Sequence, residues 1–147
     1  MELFASVNRN LNLVRKAREL SSQKYYHLLY FELILAIQLS EIELICVDSN
    51  YVINESSIVD FSFYYHPLKV IVLNFQTVNN KKLEPFHGKD FKLAYNLLLV
   101  HEMGHHLAFN YNDFTENGAW MQGLTLAEHL KIFTPQLVQL LKNYFIV

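Results

Sequence analysis

The strongest helical pattern in the sequence spans residues 89–109, where apolar side chains and two histidines recur at roughly helical spacing. A break at residues 110–114 separates this pattern from a second one at 115–133. Two helices joined by so short a connection run antiparallel to each other as a helical hairpin. The sequence therefore predicts a hairpin in its C-terminal half, and the segments that precede the hairpin decide the fold class.

Further helices and strands are predicted on both sides of the hairpin. The helices cover residues 8–20, 23–39 and 135–145, and the strands cover residues 41–48, 56–65 and 68–75. His66–Pro67 fits a turn between the last two strands, because the residue before a proline is pushed out of the helical region. Residues 79–82 are predicted to form a polar loop. Strands followed by a helical hairpin indicate the α+β class, with a small antiparallel or mixed β-sheet packed against a helical core.

The length and composition fit a single folded domain over residues 1–147. A hydrophobic content of 52%, with 14% aromatic residues, excludes an intrinsically disordered chain. The formal net charge is −2, so the chain lacks the basic composition of a nucleic-acid-binding domain and we expect no direct nucleic-acid binding. The single cysteine, Cys46, excludes an internal disulfide framework.

No segment has the pattern of a signal peptide or a membrane span. The most apolar stretch, residues 28–47, carries Glu32, Glu41 and Glu43, whereas a membrane helix of about 20 residues has few or no charges. With a lone cysteine and no targeting signal, we expect a cytoplasmic protein with no membrane partner.

The motif with a chemical meaning is His101-Glu102-Met103-Gly104-His105, which lies inside the strongest helical pattern. Residues four apart share one helix face, so both imidazoles can reach a single Zn²⁺ ion. Glu102 lies beside them and can act as the general base that takes a proton from a metal-bound water. The spacing therefore predicts a catalytic zinc site, with one zinc ion per chain.

Two histidines can also stand four residues apart by chance, and such a pair would be ordinary core or surface side chains. Gly104 favours the site, because glycine in a helix interior costs roughly 1 kcal/mol relative to alanine and indicates a close approach by another group. Helix–helix packing alone is the other explanation for this glycine.

The third metal ligand is not fixed by the motif. A third histidine six residues after the second would define one class of zinc site, but Tyr111 stands at that position. A glutamate from the returning helix is the other common solution, and both Glu116 and Glu128 qualify. Asp113, or no protein ligand, is a further alternative.

Helix geometry separates the two glutamates. If the second helix returns directly, Glu116 lies in its first turn and can reach back toward His105. Glu128 then lies about 18 Å further along the helix axis, unless the helix begins late. The residues also allow structural roles, a first-turn carboxylate for Glu116 and a capping box for Glu128.

The sequence HEMGHH, preceded by a strand with the sequence VIVLN, resembles zincin-like metallopeptidases of the ImmA/IrrE type over roughly residues 42–135. Glu116, Ala119 and Leu124 resemble the ligand-bearing second helix of that family, and IFTP resembles its end. Trp120 departs from the family, which has a polar residue there. The resemblance implies a zincin-like fold from a phage or mobile element, with a regulatory protein such as a repressor as substrate.

Two classes of function remain open. The first is a zinc metallopeptidase that cleaves a protein or peptide, with His101, His105 and Glu116 (alternatively Glu128) as ligands and Glu102 as base. The second is a non-catalytic regulatory or binding module on the same fold, in which the metal is structural or absent. The small size of the chain favours the second class, whereas Glu102 favours the first, because a structural zinc site needs no base.

Overall fold

The computed structural model describes the backbone of residues 2–54 and 57–147 and the side chains of residues 11–51 and 59–147. The helices are α1 (Glu2–Glu19), α2 (Phe31–Leu39), α3 (Lys92–Phe109), α4 (Glu116–His129) and α5 (Pro135–Phe145). The strands are β1 (Glu43–Val47), β2 (Tyr51–Asn54), β3 (Ser57–Val59), β4 (Phe63–Tyr65) and β5 (Val70–Asn74). Short 3₁₀ helices cover Tyr26–Leu28, His66–Leu68, Phe75–Asn79 and Lys81–Phe86. The predicted α+β class is confirmed.

The main sheet is mixed and has the strand order β1-β5-β4. Strand β5 runs parallel to β1, with Ile45 opposite Val72, and antiparallel to β4, with Tyr64 opposite Ile71. A central strand is covered on both faces, which explains why all five residues of β5 are buried. Strand β4 lies at the edge of this sheet, while β2 and β3 pair with each other in a separate antiparallel hairpin.

Helices cover both faces of the main sheet. On one face, α1 packs through Leu13, Val14 and Ala17 against a cluster that includes Val47 and Val70. On the other face, alternate strand residues such as Cys46, Ile71 and Leu73 join the larger core formed with α2, α3, α4 and α5. The two-residue alternation of the strands therefore divides their apolar side chains between two cores.

Helices α3 and α4 cross at two glycines. A Cβ atom on Gly104 would collide with the main-chain oxygen of Ala119, and one on Gly123 would collide with the main-chain oxygen of Val100. Each helix therefore places a glycine against the backbone of the other, so the two backbones lie in direct contact. This contact explains the glycine in the middle of α3 as helix packing.

The predicted helix at 23–39 is interrupted in the structure. A 3₁₀ turn at Tyr26–Leu28 is followed by extended backbone at Leu29 and Tyr30, and α2 begins only at Phe31. The fully buried Asn96 of α3 explains the break, because its side chain accepts from the Tyr30 N–H at 2.8 Å and donates to the Leu28 oxygen at 3.0 Å. At Leu28 and Tyr30, the Asn96 side chain therefore takes the main-chain hydrogen bonds that a continuous helix would have made locally.

Other predicted boundaries also change. The strand predicted at 56–65 is wrong as one element, because β3 and β4 belong to different sheets, and β2 was not predicted. The polar loop predicted at 79–82 is instead the junction of two 3₁₀ helices that meet at Asn80, and the Asn74 and Asn80 side chains accept from main-chain N–H groups there. Helix α1 begins earlier than predicted, at Glu2, and the helix predicted at 135–145 is confirmed with Pro135 in its first turn.

No described helix combines the length and the apolar character needed to cross a membrane.

We expect Gly104→Ala to destabilise the protein by about 1–3 kcal/mol, because the added methyl group would force α3 and α4 apart. Chemical denaturation followed by circular dichroism would measure this loss. The control is Met121→Ala, on an exposed face of α4, which should change the free energy of unfolding by less than about 0.5 kcal/mol. Equal stability of Gly104→Ala and the wild type would contradict the proposed backbone contact.

Candidate metal centre

His101 and His105 lie on one face of α3, as the motif predicts. Their ring centroids are 4.7 Å apart and the ring planes meet at 74°. The His101 and His105 side chains are 12% and 16% exposed, respectively. The continuous helix fixes the separation of the two rings, and their partial exposure leaves them open to a ligand from outside.

Glu116, in the first turn of α4, contacts both imidazoles. Its Oε2 lies 2.6 Å from His101 Nε2, and its Oε1 lies 3.4 Å from His105 Nε2. Ligand atoms bound to one tetrahedral zinc ion at about 2.0–2.1 Å lie about 3.3 Å apart. The His105 contact already has this spacing, whereas the His101 contact is a direct hydrogen bond. Because the Glu116 side chain is 73% exposed, its carboxylate has room to move the short distance that a bound ion requires.

The capping of α4 explains how Glu116 comes to face α3. Thr115 is the N-cap, and its hydroxyl oxygen accepts from the Gly118 N–H at 2.9 Å. Asp113 Oδ1 in turn accepts from the Thr115 N–H at 3.0 Å and from the Thr115 hydroxyl at 2.6 Å. These bonds start the helix directly at Glu116, immediately after the turn.

The alternative ligands lie elsewhere. Asp113 is engaged with Thr115 and does not line the cavity that contains the two histidines. Glu128 lies near the far end of α4, about 18 Å along the axis from Glu116, and it does not line the cavity either. Of these three carboxylates, the structure brings only Glu116 to His101 and His105.

Glu102 lies beside the histidines and is 4% exposed. Possible ligand atoms of His101, Glu102 and His105 all lie within 4.8 Å of one another, so this group could hold a metal ion. Burial raises the pKa of Glu102, and the nearby His101 and His105 partly oppose that effect. A carboxylate with a raised pKa is a better proton acceptor than an ordinary one. Glu116 contacts both rings directly, which leaves Glu102 available for a separate role.

The charges of the site are coupled through Glu116. Hydrogen bonds from His101 and then from His105 hold the pKa of Glu116 far below its ordinary value. Burial acts to lower the pKa of His105, but the hydrogen bond to Glu116 and the charges of neighbouring carboxylates raise it overall. Without a metal ion, the Glu116 carboxylate and the His105 imidazole therefore favour each other's charged form.

Trp120 packs against the His101 ring. The two ring centroids are 4.3 Å apart and the ring planes are tilted by 33°, and Trp120 also stacks on Phe145 at 3.9 Å and 11°. His101 Nδ1 is buried and has no hydrogen-bond partner among the described residues. A metal-binding histidine normally donates its second N–H to an oxygen. The donor set fits a metal ion, and the His101 ring is packed against Trp120 without that outer hydrogen bond.

The side chains of His101, His105 and Glu116 line a cavity of about 500 Å³. Five parts of the chain form its walls: residues 62–64 at the sheet edge, the 3₁₀ segments at residues 77–83, helix α3, the beginning of α4, and the end of α5 with Val147. Much of the lining is aromatic or aliphatic, including Phe63, Phe109 and Phe145. The cavity can therefore accept apolar side chains next to the metal-ligand candidates.

Tyr64, on the cavity wall, has hydrogen-bond partners that the sequence does not predict. Its hydroxyl lies 2.6 Å from His106 Nδ1 and 2.9 Å from His66 Nδ1, and burial raises the pKa of Tyr64 to about 12. Tyr111, which stands where a third histidine ligand would be, is 72% exposed and does not line the cavity. The sequence could have indicated Tyr64 only through its position on a predicted strand near His66, because its other partner, His106, comes from α3, 42 residues away.

No family model matches the sequence, and no curated protein and no solved structure shows significant similarity to the chain. The function is therefore inferred from the geometry of the site.

The first prediction for the site concerns the third ligand. Glu116→Ala should lower the zinc content of the purified protein well below one ion per chain, because this carboxylate contacts both imidazoles. Glu128→Ala is the matched control and should retain the wild-type zinc content. Metal analysis by mass spectrometry measures both, and an unchanged zinc content in Glu116→Ala would reject Glu116 as a ligand.

The second prediction concerns pH in protein prepared without metal. The lowered pKa of Glu116 contributes stability that is present above its ordinary pKa of 4.5 and is lost as the pH falls through the folded value. The raised pKa of His105 contributes stability that is present below 6.5 and is lost as the pH rises through the folded value. The stability advantage of the wild type over Glu116→Gln should therefore peak at about pH 5–6 in thermal unfolding. An advantage that keeps rising up to pH 9 would contradict this coupling.

Proposed function

We propose that this chain is a zinc-dependent metallopeptidase that hydrolyses a peptide bond in a protein or peptide. The observation that carries the proposal is the Glu116 carboxylate, which contacts Nε2 of both His101 and His105 beside the buried Glu102. Two imidazoles and one carboxylate, with a second carboxylate left over, are the groups that hydrolysis at a catalytic zinc requires.

Each residue has a role that follows from its position. His101, His105 and Glu116 would hold the zinc ion, which would supply a water of lowered pKa and polarise the substrate carbonyl. Glu102 would act as the general base that accepts a proton from the attacking water and returns it to the leaving amine, a role that its burial and raised pKa support. Tyr64 keeps its proton at neutral pH, and its hydroxyl is hydrogen-bonded to His66 and His106 on the cavity wall.

The edge of the sheet offers a place for the substrate. Strand β4 lies at that edge, and Phe63 and Tyr64 line the cavity next to the histidines. An extended peptide can add to a sheet edge through main-chain hydrogen bonds. This placement would bring a peptide bond close to the metal ion.

The relation to zincin-like enzymes of the ImmA/IrrE type is part of the proposal. It is supported by a motif helix packed against the sheet and by a returning helix that brings Glu116 to the motif. The proposal that the substrate is a regulatory protein, such as a repressor, rests on the sequence resemblance. We place the reaction in the cytoplasm, which suits the single buried Cys46, whose pKa is raised to about 12 by burial.

A non-catalytic regulatory or binding module is the second candidate. It is favoured by the direct contact between Glu116 and His101 at 2.6 Å, because this pair holds α3 and α4 together without a metal ion. In such a module the same cavity would bind a partner without cleaving it.

Glu102→Gln separates the two candidates. In the zinc-loaded protein this variant should lower the rate of cleavage of casein or of a peptide library by at least about 10²-fold, because the general base is lost. Its zinc content should stay at the wild-type value, since Glu102 is not assigned as a ligand. Cleavage is measured by mass spectrometry of the products, with Glu128→Gln as the control.

Cleavage by Glu102→Gln at the wild-type rate would reject the assignment of the base. A zinc-loaded wild type that binds peptides and leaves them intact would instead support the binding module.

A further inference from the structure

The side chain of Asn117 binds the main chain of Val147. Its Nδ2 donates to the Val147 main-chain oxygen at 3.0 Å, and its Oδ1 accepts from the Val147 N–H at 3.2 Å. Between α5 and Val147, Ile146 is extended, with φ −92° and ψ 122°. One amide side chain therefore holds both main-chain polar groups of a single residue at the end of an extended stretch.

This contact does not depend on the identity of the bound residue. The Val147 residue is fully exposed, so its side chain adds no packing to the pair of hydrogen bonds. An extended peptide presents the same N–H and C=O groups at every residue except proline. Asn117 could therefore bind the main chain of a peptide of almost any sequence.

The position of Asn117 places such a peptide beside the candidate metal centre. Asn117 directly follows Glu116, and consecutive Cα atoms are about 3.8 Å apart. Asn117, Val147 and His101 all line the same cavity. A residue held by Asn117 therefore lies next to the side chains that are proposed to bind zinc.

Helix α5 does not need this contact to stay in place. Val138, Leu141 and Phe145 of α5 are buried, and Phe145 stacks on Trp120. The Thr134 side chain caps the beginning of α5 by accepting from the Leu137 N–H. Ile146 is packed against the core, and its N–H donates to the Lys142 oxygen at 2.9 Å. Val147 alone can therefore leave Asn117 while α5 and Ile146 remain in place.

We propose that Asn117 binds the main chain of an extended peptide substrate next to Glu116 and His101, and that Val147 occupies this place in the structure. The proposal rests on the proposed peptidase function and adds the residue that holds the substrate. A peptide has to displace Val147 to bind, so the chain competes with its own substrate for one side chain.

Peptide binding to the full chain tests the proposal. The probe is acetyl-Ala-Ile-Val-Ala-amide, titrated with zinc present into the Glu102→Gln protein, in which no cleavage should occur. In ¹H–¹⁵N spectra, the Asn117 side-chain amide and the Val147 N–H should shift and saturate together. Asn117→Ala should weaken binding by roughly tenfold, since two hydrogen bonds are lost.

The control for this variant is Asn143→Ala. Asn143 is an exposed asparagine on α5, and its side chain accepts from Gln139 Nε2 at 3.0 Å. Its replacement should leave peptide affinity within about twofold of the parent protein. Equal affinity of the parent and Asn117→Ala would overturn the proposal.

Competition by Val147 is tested separately. Val147→Pro removes the N–H that Asn117 accepts from, so peptide affinity should rise severalfold, whereas Val147→Ala keeps the N–H and should leave affinity unchanged. The extended backbone of Ile146 is compatible with a following proline. An unchanged peptide affinity in Val147→Pro would overturn the proposal that Val147 competes with the peptide.

The same experiments keep the two proposals distinguishable. Peptide binding that depends on Asn117, without cleavage by the zinc-loaded wild type, would support this inference and reject the peptidase. Cleavage that depends on Glu102, with the KM unchanged in Asn117→Ala, would support the peptidase and reject this inference. A raised KM with kcat within about twofold of the wild type is the result we expect for a residue that holds the substrate.

Discussion

The close crossing of α3 and α4 is the contact on which the candidate site depends. Gly104 and Gly123 bring each helix backbone against the other, at Ala119 and Val100. Only at this separation can the first turn of α4 present Glu116 to two imidazoles on α3. A side chain in place of either glycine would widen the crossing, so the same residues determine the packing of the core and the geometry of the site.

The electrostatics of the site follow from this packing. Glu116 stays exposed at the rim, while Glu102 is buried one residue after His101. The pKa of Glu116 is therefore lower than that of an ordinary glutamate, and the pKa of Glu102 is higher. Hydrogen bonds to imidazoles favour the ionised form of the first, and burial favours the protonated form of the second. Such a separation suits a ligand and a base in one site.

Aromatic side chains connect the site with the end of the chain. His101 packs against Trp120 and Trp120 stacks on Phe145, while Asn117 binds Val147 one turn earlier on α4. The buried Nδ1 of His101 has no described partner, so the ring is oriented by this aromatic packing and by the contact of its Nε2 with Glu116. The end of α5 therefore forms part of the wall around the candidate metal centre.

The sequence by itself determined the features that depend on neighbouring residues. The spacing of His101 and His105, the start of α5 at Pro135 and the apolar strand β5 all follow from local periodicity and backbone chemistry, and the structure has them. The sequence favours Glu116 over Glu128 as the third ligand without deciding between them, because the answer depends on where α4 begins. Hydrogen bonds of the Asp113 and Thr115 side chains fix that beginning. Tertiary structure decided the break before α2, the parallel pairing of β1 with β5, the contact of Tyr64 with His106 and that of Asn117 with Val147. Each of these joins segments far apart in the chain, as when Asn96 takes the hydrogen bonds of Leu28 and Tyr30, and no local pattern records such a partner.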